Sequence, residues 1–131
     1  MRESGERFLI DSYAWVEYFT GSKIGMRAKS YIESGSAYTP TIVIAEISSK
    51  FERDAMDFSR ALKFIETKTG IVDLDRDIAA RVGKIDVENR TRVEGWGIVD
   101  SIIVSTSKSM KAKVVTGDEH FRNVKEAIMI K

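Results

Sequence analysis

The stretch Gly95–Phe121, GWGIVDSIIVSTSKSMKAKVVTGDEHF, decides the fold. An apolar pattern at helical spacing runs to Met110 and carries Asp100 near its start, so it predicts a helix that opens with an acid. A short apolar segment, Val114–Thr116, then breaks at a glycine and is followed by a second acid, Asp118. This segment predicts a buried strand that ends beside a carboxylate.

The N-terminal part repeats the arrangement of a strand followed by an acid. The apolar run Phe8–Ile10 ends at Asp11, and Asp11 or Ser12 is suited to cap the next helix. The run Ile42–Ala45 suits a strand or a helix, but apolar spacing continues through Phe51, which favours a helix with Glu46 in its early turns. The other predicted elements are helices over 26–32, 57–69 and 75–87, strands over 37–39, 71–74 and 127–130, and a basic loop over 89–94.

Short apolar strands that alternate with longer amphipathic helices indicate an α/β domain with a mainly parallel sheet and helices on both faces. The 131 residues, of which 43% are hydrophobic, suit a single domain over 1–131. Without cysteine, neither a disulfide nor a thiolate metal site forms. The charged N-terminus is unlike a signal peptide and no apolar run is long enough to cross a bilayer, so we expect a cytoplasmic protein without membrane contact.

Four acids are placed so that they can converge. Asp11 and Asp118 follow strands, and the carboxyl ends of parallel strands meet at one edge of a sheet. Asp100 and Glu46 lie in early helix turns near that edge. Clustered carboxylates resist joint ionisation unless a cation compensates them, and oxygen ligands favour Mg²⁺ or Mn²⁺. The hydroxyl of Thr116 is suited to orient a water or a carboxylate.

Each acid also has a purely structural interpretation. Asp11 suits a helix cap, Asp100 a first-turn acid favoured by the helix dipole, Asp118 a turn residue and Glu46 a solvated helix position. Spacing alone leaves both interpretations open.

The segments 8–12, 39–47, 100–107 and 114–121 resemble the ordered motifs of PIN-domain ribonucleases, and the VapC-type toxins of prokaryotic toxin–antitoxin pairs are the most similar group. The resemblance implies a metal-dependent endoribonuclease on an α/β/α sandwich. It implies that the acidic cluster is Asp11, Glu46, Asp100 and Asp118, with Thr116 as a hydroxyl helper. It further implies a homodimer and inhibition by a small antitoxin that occupies the active-site groove.

The sequence departs from the family pattern at two places. The pair Ser12-Tyr13 replaces a commoner small hydroxyl pair after the first acid, and Glu119-His120 stands where other polar residues are frequent. We interpret Glu119 as a solvated turn residue and His120, the single histidine, as a surface or hydrogen-bonding residue.

Candidate RNA contacts precede the helix of Asp100. Trp96 stands in a loop with Arg90 and Arg92, where an indole and two cations are suited to bind RNA. Trp15, at helical spacing with Tyr18, suits the core or a dimer interface instead. Three other functions remain open: a catalytically quiet RNA-binding or protein-interaction module, an RNA-processing nuclease outside a toxin–antitoxin pair, and a phospho-acceptor domain, for which we identify no suitably placed lysine.

Overall fold

A computed structural model describes residues 5–131. Five parallel strands form one sheet in the order β3-β2-β1-β4-β5. The strands are β1 (Arg7–Ile10), β2 (Ala37–Pro40), β3 (Gly70–Val72), β4 (Ala112–Thr116) and β5 (Ala127–Met129). The prediction of a parallel sheet with a C-terminal edge strand is therefore confirmed.

Helices cover both faces of the sheet. They are α1 (Ser12–Thr20), α2 (Lys23–Ile32), α3 (Thr41–Arg53), α4 (Phe58–Lys68), α5 (Arg76–Ala80), α6 (Val82–Arg90) and α7 (Ile98–Met110), followed by a 3₁₀ turn, Glu119–Phe121. Helices α1 to α4 contact one another in one layer, and α5 to α7 form the other. This is the predicted α/β/α sandwich. In the part of the chain described, no helix is long and apolar enough to span a membrane.

Strand β1 lies at the centre of the sheet. Its Leu9 is in register with Tyr38 of β2 and Val114 of β4, and the side chains from Phe8 to Ile10 are at most 1% exposed. A parallel strand that is covered on both faces needs a continuous apolar sequence, which explains the Phe-Leu-Ile run. The carboxyl ends of β1 and β4 meet at one edge of the sheet, where Asp11 and Asp118 follow them.

The predicted helix over 75–87 is wrong in one respect, because the structure divides it into α5 and α6 at Arg81. In a continuous helix, the carbonyl of Ile78 accepts the amide of Val82. Here that carbonyl accepts the Arg81 amide, at 3.3 Å, and the hydroxyl of Ser105 in α7, at 2.8 Å. The hydroxyl of Ser105 in α7 thus donates to the carbonyl that the Val82 amide would use in a continuous helix, at the point where α5 ends. Helix α6 extends to Arg90, so the predicted loop over 89–94 begins two residues later.

A chain of buried hydrogen bonds crosses the layer of α1 and α4. The indole Nε1 of Trp15 donates to Thr39 Oγ1 at 3.1 Å, and the hydroxyls of Thr39 and Thr69 lie 2.7 Å apart. Since Thr69 donates its single proton to the carbonyl of Ile65, Thr39 must be the donor between the two threonines. The indole N–H of Trp15 and the hydroxyls of Thr39 and Thr69 thereby all have partners. This confirms Trp15 as a core residue.

Helices α1 and α2 approach each other at Gly25. A Cβ built at this position would lie 2.1 Å from the backbone oxygen of Glu17. We expect Gly25→Ala to lower the free energy of unfolding by about 1–3 kcal/mol, because one helix must shift away from the other. Urea denaturation measures this change.

Gly83→Ala is the matched control. Gly83 is an exposed helical glycine of α6, and a Cβ there would meet nothing within 4 Å. This substitution should raise stability by about 0.5–1 kcal/mol through helix propensity alone. Equal effects of the two substitutions would contradict the close α1–α2 contact.

Candidate active site

Asp11 follows β1 and begins α1 as its N-cap residue. Its Oδ1 accepts the amide of Ala14 at 2.9 Å, and the residue is only 6% exposed. Burial raises its pKa from 3.8 to about 7, hydrogen bonds from Thr116 and Ala14 oppose this shift, and the charges of Asp118 and Glu46 reinforce it. The structure therefore makes Asp11 a cap residue and also brings it into the field of two other acids.

Thr116 links Asp11 to Asp118. Its buried Oγ1 accepts the amide of Asp118 at 3.0 Å, and the same hydroxyl has a hydrogen bond with the Asp11 carboxyl group. Because the amide is a donor, the hydroxyl proton is free to point to the carboxyl group. One threonine at the end of β4 thus orients both acids.

Glu46 lies on α3 at the edge of the same site. Its side chain remains open to solvent, yet partial desolvation raises its pKa. A hydrogen bond from Ser12 opposes this shift, while the charges of Asp100 and Asp118 add to it. Glu46 is therefore close enough for the charges of Asp100 and Asp118 to act on it, and Ser12, the N-terminal residue of α1, orients its carboxyl group.

Asp100 occupies the first turn of α7, as the sequence predicts. Its Oδ2 accepts the amide of Gly97, the residue that precedes the helix, at 3.0 Å. The same oxygen lies 3.0 Å from Nδ1 of His120. Helix-capping geometry and the histidine together hold this carboxylate in place, with only 16% of its side chain exposed.

Asp118 precedes the 3₁₀ turn and accepts the amide of His120 at 2.9 Å. Its Oδ1 lies 3.8 Å from Nδ1 of His120, so the imidazole stands between Asp100 and Asp118. One ligand atom from each of these three residues fits within 4.8 Å of the others. The predicted convergence of acids is thus seen most closely at Asp100 and Asp118.

This donor set fits a divalent cation. Two carboxylates and one imidazole offer oxygen and nitrogen atoms at one point, and Mn²⁺ accepts both while Mg²⁺ favours oxygen. Burial is the main cause of the raised pKa values of Asp11 and Glu46, and the charges of neighbouring acids raise them further. A bound cation would offset these negative charges.

The structure does not support Trp96 as an RNA contact. Its indole is 3% exposed and packs against Phe121, so it offers no open face to a base. Its Nε1 donates to Ser101 Oγ at 2.7 Å, and Ser101 donates to Asp86 at 2.8 Å. The Trp96 side chain instead supports the first turn of α7.

The two candidate arginines differ in their surroundings. Arg90 Nε lies 2.6 Å from Asp86 Oδ2, and this pairing, with the Ser101 hydrogen bond, lowers the pKa of Asp86. Arg92 is exposed and lines a small surface cavity with Lys125.

Glu119 forms a bidentate contact with Arg122, at 2.6 and 3.1 Å, on an exposed turn.

His120 is the residue whose role sequence reasoning underestimated. A histidine two positions after a strand-terminal acid is a local signal, but its contact with Asp100, 20 residues away, depends on the tertiary structure. Ser12 has a further role that its position as a candidate cap does not predict. Its hydrogen bond to Glu46 joins α1 to α3 across the site.

A family model described as PIN domain matches residues 8–127. The chain belongs to the PIN domain family. This match spans all four acids, and the fold agrees with it. A comparison with curated proteins gives no match.

Solved structures share the fold of this PIN domain at low sequence identity. A toxin–antitoxin complex from Klebsiella pneumoniae is 15% identical with a TM-score of 0.76, covering 94% of this chain and 97% of that chain. DNA-bound VapBC from Salmonella typhimurium is 17% identical with a TM-score of 0.73, covering 96% and 99%. VapC20 of Mycobacterium tuberculosis, described as a sarcin-ricin loop cleaving toxin, is 16% identical with a TM-score of 0.70, covering 90% and 95%.

Asp11→Asn tests the cost of the buried carboxylate. Because the folded-state pKa lies above the ordinary value, the folded state binds more protons between about pH 4 and 7, and stability falls as the pH rises through this window. Asparagine keeps an oxygen for the Ala14 amide and carries no charge. In chelator, the variant should therefore exceed the wild type by up to about 4 kcal/mol above pH 7.

Urea denaturation at pH 4, 6 and 8 measures this difference, which should shrink towards zero at the lowest pH. A stability gain that is the same at all three pH values would show that ionisation of Asp11 is not its cause.

Proposed function

We propose that this PIN domain is an endoribonuclease that requires Mg²⁺ or Mn²⁺. The observation that carries the proposal is the meeting of Asp100, Asp118 and His120 at one point, next to Asp11 and Glu46 whose pKa values are raised. Such a set of acids is costly to the fold, and hydrolysis of a phosphodiester is a reaction that uses it.

Asp100 and Asp118 would hold the cation directly, while Asp11 and Glu46 lie near enough to contribute charge or to bind its waters. When bound, the cation supplies positive charge to the phosphate and lowers the pKa of a coordinated water. Thr116 positions Asp11 and Asp118 for this role through its two hydrogen bonds.

Other residues of the site orient the carboxylates or accept a proton. Ser12 fixes the Glu46 carboxyl group, and the raised pKa of that group makes it a better proton acceptor than an ordinary glutamate. His120 Nδ1 holds Asp100 at 3.0 Å. The Gly97 amide donates to the same carboxylate oxygen and fixes it at the start of the helix.

We further propose that the protein is a VapC-type toxin that acts in the cytoplasm, forms a homodimer and is inhibited by a small antitoxin. Support comes from the fold, which it shares over more than 90% of its length with chains from toxin–antitoxin complexes. One similar structure is described as a sarcin-ricin loop cleaving toxin. The near-neutral charge of +1 suits an enzyme with a local RNA site better than a general RNA coat protein.

Asp100→Asn should reduce RNA cleavage by about 100-fold or more, because the substitution removes a charge from the metal site. Asparagine retains an oxygen for the Gly97 amide, so the start of α7 should remain intact. The measurement is cleavage of a structured RNA pool with Mg²⁺, Mn²⁺ or chelator.

Asp77→Asn is the matched control, since Asp77 is also a first-turn acid, in α5 on the surface. It should cleave at the wild-type rate. Undiminished cleavage by the Asp100 variant would contradict the assignment. RNA binding without cleavage in any metal would instead favour a catalytically quiet binding module.

A further inference from the structure

A groove leads away from the acidic site between α1 and α3, and we call it the α1–α3 groove. It encloses about 400 Å³. Its walls carry Ser12, Tyr13, Val16, Glu17, Glu46, Lys50, Arg53 and Asp118. The groove thus contains two acids of the proposed catalytic site, Glu46 and Asp118, a third acid, Glu17, and two basic residues.

The basic residues follow Glu46 along one face of α3. Positions 46, 50 and 53 are separated by four and three residues, so their side chains lie on the same side of the helix. Along the helix axis, Lys50 is about 6 Å and Arg53 about 10 Å beyond Glu46. The helix dipole accounts for bases in the last turn, but it does not account for their position in the groove that holds Glu46 and Asp118.

Both cations are available to an anionic ligand. Lys50 Nζ lies 3.1 Å from Asp54 Oδ2, but both side chains are more than 40% exposed, and such a helical pair contributes only about 0.3–0.5 kcal/mol. Arg53 is exposed and donates one bond to Ser49. Because the guanidinium has five N–H donors, most of them remain for a phosphate.

Tyr13 supplies an aromatic ring on the α1 side of the groove. The ring lies against the backbone at Gly117, where a Cβ would come within 2.3 Å of Tyr13 Cε1. Gly117 is therefore needed for the ring to occupy this place between Thr116 and Asp118. An aromatic ring beside cations is the usual composition of a site for single-stranded nucleic acid, in which bases stack and phosphates bind to charge.

We propose that the α1–α3 groove binds single-stranded RNA next to the scissile bond, with Lys50 and Arg53 on its phosphates and Tyr13 under one base. The proposal rests on the proposed nuclease function and identifies the surface along which the RNA strand would bind. It replaces the predicted path along Trp96, Arg90 and Arg92, since Trp96 is buried and Arg92 lines a different cavity. Arg90 is held at 2.6 Å by Asp86, whose side chain is only 17% exposed, whereas the partner of Lys50 is 45% exposed. Stacking on Tyr13 requires a base that is not already stacked in a duplex.

The test is fluorescence anisotropy of a labelled single-stranded RNA of mixed sequence, titrated at several salt concentrations. All proteins carry Asp100→Asn so that the RNA stays intact. The double variant Lys50→Ala and Arg53→Ala should bind at least about 10-fold more weakly at low salt. A plot of the logarithm of the association constant against the logarithm of salt concentration has a negative slope. The magnitude of this slope should decrease by about 1.4, which corresponds to two lost phosphate contacts with a single strand.

Two charge-matched controls accompany this variant. Lys63→Ala with Arg81→Ala removes an exposed lysine and an exposed arginine that do not line the groove, and it should leave affinity and slope almost unchanged. Arg90→Ala with Arg92→Ala tests the alternative path. Thermal melting of each protein shows whether a loss of binding reflects a loss of folding.

The aromatic contact is tested separately. Tyr13→Phe keeps a ring and should bind like the parent, whereas Tyr13→Leu should lose about 10-fold in affinity without a change in salt slope. A purely structural role of Tyr13 would lower the melting temperature and leave the affinity of the folded protein unchanged, which would overturn the stacking role.

Groove variants that bind like the Lys63 and Arg81 control would overturn the proposal, as would a loss of binding confined to the Arg90 and Arg92 variant. Cleavage by each variant with Asp100 restored separates the two levels of inference. RNA cleavage that is unaffected by the groove substitutions would overturn the RNA-binding role of the groove and leave the proposed nuclease activity standing. Absence of cleavage in the wild type would count against the nuclease itself.

Discussion

Asp11 lies buried at the carboxyl end of the central strand, where burial and the carboxylates of Asp118 and Glu46 oppose its ionisation. The rest of the site is arranged around this carboxyl group. Thr116 binds it from β4, the Ala14 amide binds it from α1, and the neighbouring acids approach from α3 and the loop after β4. The strands that place these elements are parallel, so their carboxyl ends meet at one edge of the sheet. Repulsion among the acids therefore has to be offset by packing elsewhere or by a cation.

Two chains of buried or partly buried hydrogen bonds hold α1 and α7, the helices at whose starts Asp11 and Asp100 lie. On one face, Trp15 of α1 is joined through Thr39 to Thr69, which connects the helix of Ser12 to β2 and to the end of α4. On the other face, Trp96 donates to Ser101, and Ser101 donates to Asp86 of α6. The first chain ends on the carbonyl of Ile65 and the second on the carboxylate of Asp86, so every donor within the two chains has an acceptor. Small movements of α1 or α7 would break such a chain, which limits the freedom of the acids at their starts.

Many parts of the fold follow from local sequence. The Phe-Leu-Ile run predicts a buried strand, and Asp57 and Asp75 cap helices because a short acidic side chain before a helix accepts an amide of its first turn. The break between α5 and α6 does not follow from the sequence, since Ser105, which binds the Ile78 carbonyl, lies 27 residues away. The burial of Trp96 likewise depends on tertiary contacts and does not follow from local sequence. Its position in a loop suggested exposure, but the loop folds back over the start of α7 and buries the indole.

The sequence by itself determined the order of elements, the class of fold and the acids that follow strands or open helices, because periodicity and capping act over a few residues. The four motifs also identified the PIN family, which the family model over residues 8–127 confirms. Only the tertiary structure decided which groups surround each acid. It brought His120 to Asp100, Ser12 to Glu46 and Tyr13 against Gly117, and it buried Trp96. These contacts depend on how helices pack across the sheet, and packing distances between remote residues are not encoded in local spacing.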